Sequence, residues 1–272
     1  LARLGLKSSL FANIGDDDHG RDMLVALKKN AVQTQYMHVN RGKVSNYHYV
    51  LWYEPDRTIL IKHEDYDYKW PRIPEEDKPK WIYLSSFAES GARMHDDITE
   101  YLEKNPDVKL AFQPGTFQMR MGFEKLKGLY ARTEVYAVNV EEAQMMTDKP
   151  GERNIRVLAE ALHERGPKIV VITDGPNGSY ASDGTQVLAM RNYPDPKAPY
   201  ERTGAGDAYT STFVAGLITT GDIREAMKWG PINSMNVVQH IGAQEGLLKR
   251  SELNKLLAHA PHDYEPREYK PD

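Results

Sequence analysis

Lys168-Ile169-Val170-Val171-Ile172-Thr173 is the stretch that decides the fold, because it contains four consecutive apolar residues. A strand that is apolar on both faces must be covered on both, which is typical of the parallel sheets of α/β proteins. Similar runs precede it and alternate with helical patterns. The strand candidates are residues 81–85, 108–112 and 135–140, and the helix candidates are residues 92–104, 123–130, 141–146 and 154–165. This alternation predicts a mostly parallel central sheet flanked by helices.

The composition limits the classes of protein to which the chain can belong. It has 272 residues, a formal net charge of −4 and no cysteine. A chain without cysteine has no disulfide, thiolate metal site or cysteine nucleophile, and it suits a reducing cytoplasm. Its charges are mixed along the sequence, so we expect no nucleic-acid partner. No apolar run approaches the roughly 20 residues of a membrane helix, so we expect no membrane partner either. We predict one cytoplasmic domain over residues 1–272.

Residues 44–53 and 58–63 form two β-rich runs joined by Glu54-Pro55-Asp56-Arg57, where Pro55 suits the second position of a type I turn. The pattern predicts a hairpin. Successive side chains of a strand point to opposite faces, and both faces of the first run are apolar or aromatic. One face has Tyr47, Tyr49, Leu51 and Tyr53, and the other has His48, Val50 and Trp52. Such a hairpin packs either on its own domain or between a bound substrate and a second subunit.

The segment Thr203-Gly204-Ala205-Gly206-Asp207 precedes a helix predicted over residues 208–219. Two more helices are predicted over residues 223–241 and 251–259, the last with Ser251 as its N-cap. Small residues allow a tight turn whose N–H groups point outward together, and the positive end of the helix lies at the same place. This arrangement binds anions and favours the charged form of a carboxylate, so Asp207 is a base by position rather than by strength. The combination fits phosphoryl transfer. The alternative is a structural turn with Asp207 as the helix N-cap.

Four further motifs lie where predicted strands end or helices begin. Thr173-Asp174-Gly175-Pro176-Asn177-Gly178 contains two glycines that allow a ligand close to the backbone. Asn139-Val140-Glu141-Glu142 offers oxygen ligands for Mg²⁺, although a helix cap with a surface glutamate is the commoner outcome for such a tetrapeptide. The others are Gln113-Pro114-Gly115 and Gly15-Asp16-Asp17-Asp18-His19-Gly20. Ligands of α/β folds collect at the carboxyl ends of the strands, so these motifs predict one site.

In their order along the chain these motifs resemble the ribokinase-like, PfkB-type carbohydrate kinase family. The resemblance covers essentially the whole chain and includes Gly242-Ala243, after the helix that should border the adenine. It implies a three-layer ribokinase-like α/β fold with a small β-hairpin lid at about residues 43–64. It also implies transfer of the γ-phosphoryl group of ATP to a hydroxyl of a small sugar, with closure of the lid excluding water.

The resemblance also implies residue roles. Asp207 would deprotonate the acceptor hydroxyl, and the N–H groups of Gly204, Ala205 and Gly206 would stabilise the transferring phosphoryl group. Asn139 and Glu142 would organise Mg²⁺, and a monovalent cation is a further expected cofactor. The expected nucleotide-side residues are Thr173, Gly175, Gly178, Arg202, Asn233 and Asn236. The expected substrate-side residues are Asn46, His48, Ser85 and Ser86. The expected assembly is a homodimer through the lid.

The sequence departs from the family pattern in places. Glu201-Arg202 stands where Asp-Thr is usual, and Arg202 near the phosphates would act as a charge clamp. Gln113 stands where Asn is more usual. The family's opening strand and Gly-Gly segment would precede Leu1, so we expect the chain to start partway into its fold.

Two alternatives stay open at this point. The aromatic lid could stack on a base, which would make the protein a nucleoside kinase of the same family. The chain could also be a member that binds a sugar or nucleotide without catalysis. Other chemistries are unsupported: residues 16–27 lack the EF-hand ligand spacing, and the sequence contains no Walker A, dinucleotide-binding, His-Glu-x-x-His or Gly-x-Ser-x-Gly motif.

Overall fold

The computed structural model describes residues 1–53 and 56–271. The strands are β1 (Ser8–Ser9), β2 (Ala12–Gly15), β3 (Val32–Gln33), β4 (Met37–Asn40), β5 (Tyr47–Tyr53), β6 (Asp56–Lys62), β7 (Trp81–Leu84), β8 (Lys109–Phe112), β9 (Thr133–Asn139), β10 (Ile169–Thr173), β11 (Ser179–Ser182), β12 (Val187–Met190) and β13 (Arg267–Glu268). The helices are α1 (Asp18–Lys29), α2 (Met94–Lys104), α3 (Thr116–Met121), α4 (Phe123–Arg132), α5 (Val140–Met146), α6 (Ile155–His163), α7 (Ala205–Thr220), α8 (Ile223–Val237) and α9 (Arg250–Ala258).

The central sheet has the strand order β13-β12-β11-β10-β9-β8-β7. Strands β7 to β10 are parallel to one another, and β11 to β13 extend the sheet from β10 in antiparallel pairs. Two short parallel pairs, β1 with β3 and β2 with β4, and the antiparallel hairpin of β5 and β6 lie outside this sheet. The predicted α/β fold with a mostly parallel central sheet and flanking helices is therefore confirmed.

The sheet separates two hydrophobic cores, because alternate residues of each strand point to opposite faces. In β9, Val135 and Ala137 belong to the core that contains α7 and α8. Tyr136 and Val138 belong to the core on the other side, which contains α2 and α4 to α6. The apolar run of β10 divides in the same way, with Val171 in the first core and Val170 in the second. This is the two-sided burial that the apolar run predicts.

The pattern of buried residues in each helix matches the surroundings of that helix in its layer. In α6 the buried residues Ile155, Leu158, Ala159 and Leu162 recur at helical spacing, so one face packs on the sheet. Helix α7 is instead buried on most sides, and it packs closely against α8. A Cβ on Gly216 would lie 2.9 Å from the Cα of Ala226, so glycine allows this approach. This contact holds the C-terminal half of α7 against α8.

The predicted hairpin is present, with β5 and β6 in register from Tyr47 opposite Lys62. The proposed turn residues Glu54 and Pro55 lie outside the described residues. Two predicted helix bounds need correction. Helix α8 ends at Val237, before residue 241, where turns and bends replace the helix. The predicted helix over residues 251–259 begins at Arg250, so Ser251 is within its first turn and Lys249 holds the N-cap position. Over residues 1–53 and 56–271, none of the helices combines the length and apolarity required to cross a membrane.

Candidate active site

Three of the predicted motifs, those at Gln113, Asn139 and Thr173, meet at one edge of the central sheet because parallel strands end on the same side. The Gly15–Gly20 motif follows β2, outside this sheet. Thr173, the last residue of β10, pairs with Asn139, the last residue of β9. Phe112, the last residue of β8, pairs with both neighbouring strands, so Gln113 follows at the same edge. The N-terminus of α7 lies against this edge, since the Gln113 Nε2 donates to Asp207 Oδ1 at 2.9 Å. The tertiary structure thus joins the Gln113 and Asp207 motifs directly.

The Gly204 turn leaves two of the three predicted N–H groups, those of Gly204 and Gly206, without an acceptor in the described chain. Gly204 is the N-cap of α7 with φ +78°, in the left-handed region that favours glycine. Asp207 is the third residue of the helix, so the alternative in which Asp207 is the N-cap is wrong. The Ala205 N–H donates to the Arg202 carbonyl at 3.3 Å. Within residues 1–53 and 56–271, the N–H groups of Gly204 and Gly206 have no acceptor, and they are free for a ligand.

The segment after α8 packs directly on this turn. A Cβ on Gly204 would lie 2.5 Å from the Cβ of Ala243, so a side chain has no room there. The Glu201 carboxylate accepts a hydrogen bond from the Gly242 N–H, and it also accepts from the Thr203 hydroxyl at 3.4 Å. The departure from the usual family residue at Glu201 therefore has a structural role: the carboxylate ties two loops together beside the free N–H groups.

The Asn139–Glu142 motif forms a reciprocal helix cap. Asn139 Oδ1 accepts from the Glu142 N–H at 2.8 Å, and Glu142 Oε2 accepts from the Asn139 N–H at 2.9 Å. Burial raises the pKa of the Glu142 carboxyl, and the charges of Glu141 and Asp207 add to this effect. The helix cap of the structural alternative is therefore present, but Glu142 is half-buried and is not a surface glutamate, and the cap does not use its Oε1. The described residues contain no group of three or more His, Asp or Glu side chains able to hold a metal.

Three of the predicted nucleotide-side residues lie at the end of β10, which is Thr173, and on the loop after it, which contains Gly175 and Gly178. Gly175 has φ +48° and Gly178 has φ +98°. A Cβ on Gly178 would lie 2.3 Å from the Met190 carbonyl oxygen, so this position requires glycine. Around Gly175 a Cβ would meet nothing within 4 Å, and the backbone there is open to a ligand. Asn192 fixes the loop by donating to the carbonyls of Gly175 and Pro176 at 2.8 and 3.1 Å.

The other three predicted nucleotide-side residues, Arg202, Asn236 and Asn233, differ in burial and in hydrogen bonding. Arg202 is exposed and has no ion pair with a described residue, which leaves its guanidinium available. Asn236 is half-buried and donates to the Gly246 carbonyl at 2.6 Å. Asn233 is 2% exposed; it donates to the Thr212 hydroxyl at 2.7 Å and accepts from the Leu248 N–H at 2.9 Å. These bonds correct the expectation for Asn233, since its side chain holds α7, α8 and the following loop together and does not face a ligand.

The predicted substrate-side residues lie on two separate elements. Ser85 and Ser86 follow β7 and are exposed. A Cβ on Gly115 would lie 2.0 Å from Ser86 Oγ, so the loops after β7 and β8 touch. Asn46 and His48 are at the start of the hairpin, where Asn46 Oδ1 accepts from the Glu64 N–H at 2.6 Å. The His48 and His63 rings are 5.5 Å apart, and burial followed by His63 lowers the pKa of His48.

Sequence reasoning missed a buried network beneath the substrate-side loops. His95 is 2% exposed, and its Nδ1 lies 2.8 Å from the Ala92 carbonyl oxygen. Its Nε2 lies 3.0 Å from Gln118 Nε2, which also donates to the Ser85 carbonyl. Gln118 Oε1 accepts from the Gly115 N–H at 2.7 Å. The network links the ends of β7 and β8, and a polar pair on the buried faces of two helices is the signal that could have identified it.

The Gly15–Gly20 motif acquires a structural role at the base of the hairpin. Asp17 caps α1, and its carboxylate also accepts from the Ser45 N–H at 2.8 Å and the Ser45 hydroxyl at 2.6 Å. These bonds, together with the Gly20 N–H, hold the pKa of Asp17 far below its usual range. A Cβ on Gly15 would lie 2.4 Å from the Lys43 carbonyl oxygen, so glycine lets the hairpin approach. The motif fixes where the hairpin leaves the domain.

Known proteins with the same fold and sequence pattern place the chain in a family. It is 24% identical over 251 residues to an uncharacterized sugar kinase of Archaeoglobus fulgidus, covering 91% of this chain and 97% of that protein. It is 28% identical over 273 residues to the 5-dehydro-2-deoxygluconokinase of Bacillus licheniformis, covering 94% and 83%. Its structure superposes on an Arabidopsis thaliana ribokinase complexed with ribose and ATP with a TM-score of 0.80 at 19% identity, covering 94% and 83%. The family model of the pfkB carbohydrate kinases matches residues 1–250, and the chain belongs to this family.

Proposed function

We propose that this carbohydrate kinase phosphorylates a small sugar with Asp207 as the base. The sugar hydroxyl oxygen bonds to the γ-phosphorus of ATP while the bond from that phosphorus to the β,γ-bridging oxygen breaks. The hydroxyl proton passes to Asp207, and ADP leaves with the electron pair. The observation that supports this most directly is that Asp207 and the free N–H groups of Gly204 and Gly206 share one helix end, so base and anion site lie side by side.

The protein is an ATP-dependent carbohydrate kinase by family, and the alternatives are not favoured. Relatives named as sugar kinases cover nearly the whole chain, which supports a sugar over a nucleoside. A member without catalysis would not need an exposed carboxylate at a helix end with open N–H groups. Asp207 and these groups are intact here. A sugar with a free hydroxymethyl group is the substrate class that this arrangement fits.

Mg²⁺ at Asn139 and Glu142 fits the residues that are present. The cap uses Asn139 Oδ1 and Glu142 Oε2, and it leaves one carboxylate oxygen, Oε1, for a metal-bound water. The uncompensated charges of Glu142 and Asp207 favour a cation between the nucleotide and this strand end. Mg²⁺ retains several waters and takes few protein ligands, so one carboxylate is sufficient. When bound, the ion neutralises charge on the phosphates.

The nucleotide is expected on the β10 side of the site. The open backbone at Gly175, the close turn at Gly178 and the end of β10 at Thr173 support this assignment. Arg202, without an ion pair in the described chain, would clamp the phosphates. Asn236 stays a nucleotide-side prediction. A monovalent cation is part of the same proposal, and replacing K⁺ by tetramethylammonium in the ADP-release assay tests it.

The hairpin is proposed as a lid that also forms the homodimer. Cross-strand pairing puts His48 opposite Ile61 on one face and Tyr49 opposite Leu60 on the other. Both faces are exposed: Ile61 is 62%, Tyr49 62% and Leu60 51% accessible. Apolar surface of this kind marks a contact. Asn46 immediately precedes β5 and is two residues from His48, so we assign the His48 face of the hairpin to the sugar. The exposed Ser85 and Ser86 are assigned to the same ligand. The opposite face is assigned to a second subunit, in a cytoplasmic enzyme.

A substrate screen and one variant test the proposal. Thermal-shift measurements with pentoses, hexoses, sugar acids and nucleosides would identify a ligand, and ADP release would then be measured with each hit. We expect sugars to be phosphorylated and nucleosides not. Asp207→Asn should lower kcat by roughly 10²–10⁴-fold and leave ATP binding intact. Near-normal turnover of Asp207→Asn would refute the base. Phosphorylation of nucleosides alone would refute the sugar.

A further inference from the structure

The amide of Gln113 bridges Asp207 to a tyrosine in the sheet. Gln113 Nε2 donates to Asp207 Oδ1 at 2.9 Å across 94 residues of sequence. The hydroxyl of Tyr83, a residue of β7, donates to Gln113 Oε1. Tyr83 and Gln113 are both half-buried, whereas Asp207 is exposed. A chain of hydrogen bonds therefore runs from the sheet to the exposed carboxylate at the helix end.

The chemistry of the three groups fixes the direction of this chain. A carboxylate oxygen only accepts, so the Gln113 atom that faces Asp207 is the amide nitrogen. The amide oxygen then faces Tyr83, whose hydroxyl is the donor. Burial raises the pKa of Tyr83, and the charge of Asp207 raises it further, so the hydroxyl keeps its proton at all working pH values. Tyr83 thereby holds the amide in the one orientation that bonds Asp207.

We propose that Gln113 and Tyr83 are positioning residues for the base: Gln113 holds Asp207 Oδ1, and Tyr83 holds the Gln113 amide. This inference rests on the proposed role of Asp207. The bond to Oδ1 restricts the rotation of the carboxylate and directs Oδ2 to the acceptor hydroxyl. A carboxylate that acts as a base through its position, and not through a high pKa, depends on such restriction. A misplacement of the base by about 1 Å costs on the order of 10²-fold in rate.

The first test is a pair of variants that remove one hydrogen bond each. Tyr83→Phe removes the donor to the amide oxygen, and Gln113→Leu removes the amide with little change in volume. We expect kcat to fall roughly 10-fold in Tyr83→Phe and roughly 10²-fold in Gln113→Leu, with KM for ATP unchanged. Tyr193→Phe is the matched control, because Tyr193 is also buried and its hydroxyl donates to the Leu256 carbonyl, away from the sheet edge. It should retain the wild-type kcat.

The second test separates positioning from a general loss of stability. Because Tyr83 acts through Gln113, Tyr83→Phe should have no further effect on kcat in the Gln113→Leu background. Gln113→Glu places a second carboxylate against Asp207, and we expect the acid limb of the pH–kcat profile to move to higher pH. A merely structural role would lower stability without making the effect of Tyr83→Phe on kcat depend on Gln113. Thermal unfolding of each variant sets an assay temperature at which all are folded.

The outcomes distinguish this inference from the proposed function. If Asp207→Asn turns over normally, the base is wrong and the positioning chain fails with it. If Asp207→Asn is inactive but Tyr83→Phe and Gln113→Leu match the wild type in kcat and pH profile, only the positioning chain is wrong. If the decreases in kcat of Tyr83→Phe and Gln113→Leu multiply in the double variant, the positioning chain is also wrong.

Discussion

Gly204 and Ala243 touch across two loops, and a Cβ on Gly204 would lie 2.5 Å from the Cβ of Ala243. The contact joins the N-cap of α7 to the segment after α8. Gly204 also has φ +78°, which other residues rarely adopt. Two independent constraints, one of space and one of backbone conformation, therefore require glycine at the start of the anion site.

Gly204→Ala should damage both folding and activity. We expect the free energy of unfolding to fall by about 1–3 kcal/mol from backbone strain, and kcat to fall at least roughly 10-fold because the N–H groups shift. Gly221→Ala is the matched control: Gly221, at the other end of α7, has φ +71°, and a Cβ there meets nothing within 4 Å. It should lose stability yet keep its kcat. Equal loss of kcat in both variants would contradict the role of the contact.

Glu142→Gln should weaken the dependence on Mg²⁺ without breaking the helix cap. The amide oxygen of Gln can still accept from the Asn139 N–H, so only the charge is removed. We expect the Mg²⁺ concentration for half-maximal activity to rise roughly 10–100-fold. Glu141→Gln, which removes an exposed charge one residue away, should leave it unchanged. An unaltered Mg²⁺ response in Glu142→Gln would contradict the metal assignment.

The same variant predicts a pH dependence of stability. The pKa of Glu142 is raised above its ordinary 4.5, mainly by burial, so the folded state favours the protonated form. This contribution to stability is complete below pH 4.5 and is lost as the pH rises through the folded pKa. Relative to wild type, Glu142→Gln should therefore gain stability as the pH rises from 4.5 to 8. Urea unfolding at several pH values measures this difference, and a constant difference would contradict it.

His95 predicts the opposite trend. Burial lowers its pKa from 6.5, so the folded state favours the neutral ring that bonds Ala92 and Gln118. The stability it contributes is present above pH 6.5 and is lost as the pH falls through the folded pKa. The difference in unfolding free energy between wild type and His95→Gln should shrink below pH 6.5, by at most about 1.4 kcal/mol per pH unit. A difference that does not change with pH would count against the neutral ring.

Neighbouring residues on the hairpin test its two faces separately. Leu60→Lys charges the face of Tyr49, and Ile61→Lys charges the face of His48. We expect light scattering to give a dimer mass for the wild type and a monomer mass for Leu60→Lys. The KM for the sugar should change little in this variant. Ile61→Lys should raise the sugar KM roughly 10-fold and leave the mass unchanged. A wild-type protein that is monomeric at assay concentration would refute the dimer. An unchanged sugar KM in Ile61→Lys would refute the assignment of the His48 face to the sugar.

Much of the fold follows from patterns shorter than ten residues. The apolar run before Thr173 predicts a strand covered on both faces, and α6 shows helical spacing of its buried residues. The two-residue strands β1 and β3 do not follow from such patterns, because two residues are too few for a period and their pairing depends on distant partners. The N-cap of α9 was also missed, since Lys249 caps by position and not by a preferred side chain.

The sequence by itself determined the order of the strand-end motifs and hence the edge at which a site could form, because chain direction and sheet type fix where parallel strands end. It also determined the glycine turn at the start of α7, which is the proposed anion site, since glycine conformation and helix polarity are local properties. Only the tertiary structure decided which side chains meet: that Gln113 reaches Asp207, that Ser45 bonds Asp17, and that Asn233 is turned inward. These contacts join residues 94, 28 and 21 positions apart, and the packing of sheet and helices, not any local pattern, sets such distances.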